Sequence, residues 1–171
     1  EHIRMMGDKV IAKQTAQELG LPLVPGSPGP VGSHEEIEAL GKRIGWPVLI
    51  KAVAGGGGRG LRPVTREQDL AEAMRRCASE AAAAFGDGRV FAERLLPRAR
   101  HVEVQVVSDG TGAVAVLGDR DCSLQRRRQK LIEIAPAALA GEVRSRLSAA
   151  AADLARSAEF AGLATAEFLV Q

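Results

Sequence analysis

The sequence predicts an α+β fold with mostly antiparallel sheets, and three observations carry that expectation. An apolar run, Pro47-Val48-Leu49-Ile50, feeds the glycine-rich stretch Lys51–Gly60, and Leu61-Arg62-Pro63-Val64 leaves it as extended chain. His101–Val106 alternates apolar and polar residues strictly, and Asp109-Gly110 supplies the turn to a partner strand. Two capping boxes, Ser33-His34-Glu35-Glu36 and Thr65-Arg66-Glu67-Gln68, start helices between the strands.

Taken in order, Asp8 caps a helix that runs to about Leu19 and stops at Gly20. Lys9 falls in its first turn, where the helix dipole disfavours a cation. It reads either as a group reaching outward to an anion or as an ordinary surface lysine. Leu21–Val24 predicts a short strand, and Pro25–Pro30 an irregular loop. The box at Ser33 opens a helix to about Ile44, stopped by Gly45, and Trp46–Ala52 is the next strand.

The four glycines 55–58 leave their backbone N–H groups uncovered, with Lys51 and Arg59 on either side. Such a run can fold over an anion or simply bend. Gly55, Gly57 and Gly60 match the spacing of the dinucleotide fingerprint, but that fingerprint needs a helix to begin inside it. A GxxxxGK[ST] phosphate loop needs Lys where Leu61 stands. A hairpin flap is what remains. The box at Thr65 then opens a helix to about Ala84, and Val90–Leu96 is a strand ended by Pro97.

In the second half, Val102, Val104 and Val106 face a core, while His101, Glu103 and Gln105 share the other face. Ala113–Gly118 is the returning strand. Asp119–Lys130 is a dense polar stretch read as a loop. Its five cations either gather round an anionic ligand or pair with Asp119 and Asp121 in solvent. An Ala-rich helix, about Gly141 to Phe160, precedes a last strand, Ala164–Val170. Glu167 inside that strand is either a surface carboxylate or a ligand.

The bulk properties are those of an ordinary globular protein. At 171 residues the chain can bury a core, with 46% hydrophobic and 26% charged residues. A net charge of +2 gives no argument for a nucleic-acid or membrane partner. No apolar run is long enough to span a bilayer. Cys77 and Cys122 form no metal-binding or disulfide pattern, and a cytoplasmic location is the expectation. The start at Glu1 and the stop within a strand suggest a segment of a longer protein.

Together the pieces resemble the ATP-grasp region of biotin carboxylase, the component of biotin-dependent carboxylases that carboxylates biotin. The likeness is carried by Met6-Gly7-Asp8-Lys9, Val24-Pro25-Gly26-Ser27, Ile50-Lys51-Ala52, Gly55–Gly60 and Arg100-His101-Val102-Glu103. It continues through Arg120-Asp121-Cys122-Ser123, Gln129-Lys130, Ala135-Pro136-Ala137 and Glu167-Phe168-Leu169. The resemblance implies an ATP-grasp fold: a connecting helical segment over residues 1–24, a lid subdomain over 25–93, and the start of a catalytic subdomain over 94–171. In that family ATP lies in the cleft between lid and catalytic subdomain.

By this likeness Lys9 and Lys51 contact the nucleotide, and Gly57 and Gly58 close over its phosphates. Glu93 and Leu96, on a hinge strand, hold the adenine and ribose side, and His101 approaches the nucleotide. Gln125 and Lys130 line the bicarbonate end, and Glu167 matches a carboxylate that binds Mg²⁺ (or Mn²⁺). Arg128 stands where the family has a nucleotide-contacting histidine. The implied ligands are ATP, Mg²⁺, bicarbonate and carrier-bound biotin. The implied partners are a biotin carboxyl carrier domain and a carboxyltransferase component, in a protein that forms a homo-oligomer. A second metal carboxylate, a biotin-enolate Arg and a general-base Glu are expected beyond Gln171. Other readings are a different ATP-grasp carboxylate ligase or, for the 171 residues alone, a non-catalytic nucleotide-binding lid module.

Overall fold

The computed structural model describes residues 9–54, 59–126 and 128–171, with side chains from residue 11 onward. The expected cap Asp8 and the glycines 55–58 lie outside the described residues. The chain divides into two compact units. One holds residues 9–14 and 22–95, the other residues 15–21 and 96–171.

Helix α1, Lys9–Glu18, ends as expected: Gly20 takes φ +67° and its N–H bonds to the Gln17 carbonyl. No strand forms over 21–24. The contact with a strand comes later, where Gly26 bridges Glu93 and the Pro25 carbonyl accepts from Arg94 N–H at 2.8 Å.

In the first unit β1 (Val48–Ala52), β2 (Leu61–Val64) and β3 (Val90–Arg94) form an antiparallel sheet in the order β2-β1-β3. Val48 pairs with Val64 and Lys51 with Leu61, so the glycine stretch does join the two arms of a hairpin. Alternation sends Val48, Ile50, Val64, Val90 and Ala92 to one face. There they meet Ile37 and Leu40 of α2 (His34–Ile44) and Leu70 and Cys77 of α3 (Leu70–Phe85). Ser33 caps α2 by accepting from Glu36 N–H. The Glu36 carboxylate turns back to Gly32 N–H rather than to Ser33.

The second capping box does not cap. A single 3₁₀ turn, Glu67–Asp69, precedes α3, and neither Arg66 nor Asp69 makes a side-chain cap. The Asp69 carboxylate is held by Arg66 at 2.7 Å, which takes the oxygen a cap would need.

The second unit is a four-stranded antiparallel sheet, order β6-β5-β4-β7, with β4 Arg100–Asp109, β5 Val114–Arg126, β6 Gln129–Ile134 and β7 Ala161–Val170. Helix α4, Gly141–Ser157, lays Ala151 and Ala155 on Val104 and Val106, with Ala166 and Phe168 packed beside them.

The polar stretch 119–130 is therefore not a loop. It is the second half of β5, a tight turn, and the start of β6. Strand structure is possible because its charges are matched across the sheet rather than along the run. Asp121 takes Arg100 at 2.8 Å, and Asp119 takes Arg144 of α4 and Ala137 N–H, both at 2.7 Å. Among the described residues no helix is long and apolar enough to cross a membrane.

Candidate functional site

Each unit carries its own polar cluster. In the first, Lys51 leaves β1 on the face away from α2 and α3, opposite Phe91 in the register of β3. Its ammonium meets Glu93 Oε1 at 2.8 Å, and Lys13 of α1 meets Glu93 Oε2 at 3.0 Å. The Glu93 carboxylate is 5% exposed, so its charge is answered by two lysines rather than by water. Both ammonium groups lie over the Phe91 ring, 5.3 Å and 5.6 Å from its centroid.

The exit of the glycine stretch is firmly held. Gly60 has φ +63°, accepts from Ala52 N–H at 2.8 Å, and receives the Cys77 thiol at 3.2 Å. Gly57 and Gly58 lie outside the described residues, as does the Lys9 side chain.

In the second unit the polar face of β4 is the centre. His101, Glu103 and Gln105 stand opposite Leu169, Glu167 and Thr165 of β7, and Glu103 stands opposite Arg120 of β5. The Glu103 side chain is only 1% exposed. Its Oε2 accepts from Arg120 at 3.0 Å, and its Oε1 is in contact with the Lys130 ammonium from β6. Burial by itself raises the Glu103 carboxyl, but Lys130 and Arg120 reverse this and hold it below the usual carboxylate range. Burial also works against the Lys130 charge, and the hydrogen bond and charge of Glu103 raise its pKa in spite of it. Arg120 reaches on to Glu133 at 3.2 Å. The Cys122 thiol beside them is raised chiefly by burial, then by the charge of Glu103.

Lys130 and Gln125 are directly paired between β6 and β5. The Gln125 amide donates to the Cys122 carbonyl and meets His101 Nδ1, both at 2.8 Å. His101 Nε2 sits 3.7 Å from Glu167 Oε2 and 3.9 Å from Glu103 Oε1. Glu167 raises the His101 pKa, against the effect of burial.

The structure thus brings Gln125, Lys130, His101 and Glu167 to one sheet face, and Lys51 and Glu93 to another. Leu96 is not on a strand: β3 ends at Arg94, and Leu96 lies in the turn toward β4, its carbonyl accepting from Ala99. Arg128 occupies the β5–β6 turn with φ +66°, a left-handed conformation uncommon for arginine.

Sequence reasoning gave no role to Glu103 or Arg120, which lie in its motifs, and did not single out Lys13. The resemblance gives a role to His101 alone on the second face of β4, where alternation also puts Glu103. Its partners lie 17 and 27 positions away, at a spacing with no local signature.

The donor set suits Mg²⁺ bound through one protein carboxylate. His101, Glu103 and Glu167 bring ligand atoms within 4.8 Å of one another. Both Glu103 oxygens are taken by cations and imidazole is a poor Mg²⁺ ligand, so exposed Glu167 is the fitting oxygen donor. Mg²⁺ binds through one or two carboxylates together with water and substrate phosphates, which one such donor satisfies.

Comparison with known proteins gives consistent results. The family model described as carbamoyl-phosphate synthase L chain, ATP binding domain, matches residues 8–171. A pyruvate carboxylase of Aspergillus niger is 50% identical over 169 residues, covering 98% of this chain and 14% of that protein. The Campylobacter jejuni biotin carboxylase, solved as a β-γ-ATP complex, superposes with a TM-score of 0.96 at 47% identity, covering 99% of this chain and 38% of that one. The biotin carboxylase domain of Hydrogenobacter thermophilus 2-oxoglutarate carboxylase was solved with MgADP, ADP and bicarbonate. It gives 0.93 at 42% identity, over 98% of this chain and 37% of that one. The chain thus spans 14% to 38% of the length of these relatives.

Proposed function

The chain belongs to the family of the carbamoyl-phosphate synthase L chain ATP-binding domain, and from its likeness to biotin carboxylases of 42–47% identity we propose that its protein is an ATP-dependent biotin carboxylase. Its fold, α+β with two antiparallel sheets, is the ATP-grasp fold of the biotin carboxylases it superposes on. In the proposed reaction a bicarbonate oxygen attacks the ATP γ-phosphorus, and the bond to ADP breaks. The product is carboxyphosphate. The bond between its carboxyl carbon and the phosphate oxygen then breaks as the carboxyl group passes to N1 of a carrier-bound biotin, and inorganic phosphate leaves with the N1 proton.

The observation that carries this reading is the Glu103–Lys130 contact on the sheet face that also holds Gln125, His101 and Glu167. A bicarbonate-binding cation must stay charged and stay aimed, and Glu103 does both for Lys130 by raising its pKa and holding its ammonium. Phosphoryl transfer depends mostly on positioning and on charge placed around the phosphate oxygens. Lys51 fits a phosphate contact and Glu167 the carboxylate of a nucleotide-bound Mg²⁺, which would neutralise phosphate charge. Lys9, Gly57, Gly58 and Arg128 complete the phosphate side, Glu93 and Leu96 the adenine and ribose side, and residues 25–93 form the lid. A carrier domain and a carboxyltransferase are the proposed partners, with a homo-oligomeric, cytoplasmic assembly.

The test is ATP hydrolysis by the whole protein with and without bicarbonate, in the presence of free biotin. Turnover is expected only with bicarbonate and should rise with biotin. Equal turnover without bicarbonate would exclude a biotin carboxylase and favour another carboxylate ligase of the same fold.

A further inference from the structure

Among the described residues, the ion cluster of the first unit contains two lysines for one carboxylate, and resemblance gave a role to only one of them. Lys51 holds Glu93 Oε1 and Lys13 holds Glu93 Oε2, so the two cations use separate oxygens. Each lysine side chain is about one-quarter exposed, whereas Glu93 is almost fully buried. Lys13 is 38 positions from Lys51 and 80 from Glu93, and it is delivered by α1 rather than by the sheet.

We propose that Lys13 is a positioning residue that keeps Glu93 neutralised while Lys51 turns to nucleotide phosphate. This rests on the reading of Lys51 as a phosphate contact. A buried carboxylate stripped of its counter-ion is strongly unfavourable. With Lys51 as its lone partner, each nucleotide that drew Lys51 away would strand Glu93, and the attraction at the phosphate would be offset by that loss. Lys13 removes the conflict: it stays on Oε2, and the described lysines of the cluster carry one positive charge beyond what Glu93 needs. That surplus is the charge available to phosphate. The Phe91 ring beneath both ammonium groups gives each a second place of rest when its share of the carboxylate changes. Lys13 therefore acts on nucleotide affinity without touching the nucleotide.

Calorimetry on the whole protein with ADP and with adenosine tests this. Lys13→Met should weaken ADP about tenfold or more and leave adenosine unchanged, because adenosine has no phosphate to draw Lys51 away. Lys13→Arg should bind ADP nearly as wild type. Measured against Glu93→Gln alone, adding Lys13→Met should cost nothing further, since no buried charge is left to strand. An equal loss for adenosine would make Lys13 merely structural, and an equal loss in the Glu93→Gln background would make it a direct contact. Either result overturns the proposal. A silent Lys13→Met beside a damaging Lys51→Met overturns it alone. A silent Lys51→Met overturns the phosphate reading beneath it.

Discussion

Glu103 and Glu167 stand directly opposite each other across β4 and β7, the first 1% and the second 66% exposed. Two like charges so placed repel one another. The arrangement holds because Lys130 and Arg120 cover Glu103 while His101 lies within 4 Å of both carboxylates.

The Glu103→Gln variant keeps the shape and removes the charge that gathers Lys130 and Arg120. It should lose about 3 kcal/mol in urea unfolding, as expected when a buried ion cluster loses one partner. Bicarbonate-dependent ATP turnover by the whole protein should fall more than about tenfold. Stability within about 0.5 kcal/mol of wild type would show that the cluster contributes little.

His101 gives a pH signature. Its folded pKa lies above the ordinary 6.5 because of Glu167. Stability from the protonated imidazole is therefore fully present below the unfolded value and is lost as pH rises through the folded one. Glu167→Gln should lower the His101 pKa in an NMR titration. The stability gap between wild type and variant should be widest on the acid side and close on the alkaline side. A gap that widens with rising pH would reverse the assignment.

Asp121 titrates in the opposite sense. Ser123, then Arg100, hold its carboxyl down at about 2 against an ordinary 3.8. Its contribution is present above pH 3.8 and is lost as pH falls toward 2. Acid unfolding of Asp121→Asn should show a deficit at neutral pH that disappears over that window. A deficit unchanged through it would mean that the charge is not what matters.

Gly60 is required for two reasons. Its φ of +63° is costly for any L side chain, and a Cβ there would come within 2.7 Å of the Ala52 Cβ. Gly20 shares the backbone angle, with nothing within 4 Å of an added Cβ. Gly20→Ala should cost about 1 kcal/mol and Gly60→Ala distinctly more, about 2–3 kcal/mol. Equal losses in thermal melts would leave the Ala52 clash without effect.

Local signals made much of the fold legible. Ser33 with Gly45, the pair Asp109-Gly110, and the valines of β4 each specify structure within a few residues. The same logic failed where the partner is distant. Asp119, Arg120 and Asp121 look like loop because they are polar, yet each is polar to match a group elsewhere: Arg144, Glu103 and Arg100. Thr65 failed for a local reason: a 3₁₀ turn, Glu67–Asp69, stands between it and α3, so it is not the residue at the helix start. In the candidate site, family motifs pointed to the residues that resemblance could name. Glu103 lies in a family motif that gives it no role, and Lys13 lies in none; both act by compensating other charges.

The pairing of Arg100 with Val170 also bears on the order in which the molecule assembles. Hairpin β1–β2 closes over a short interval, Val48 to Val64, but β4 must wait for a strand whose paired residues lie 52 (Asp109 with Ala161) to 70 (Arg100 with Val170) positions further on. Closing the longer interval costs more chain entropy, so β7 is expected to dock late. In pulsed hydrogen exchange the β1–β2 amides should be protected before those of β7, and the reverse order would contradict this. Until β7 arrives, Glu167 is nowhere near His101. The acidic corner of the site is then one of the last features to come into being as the chain folds.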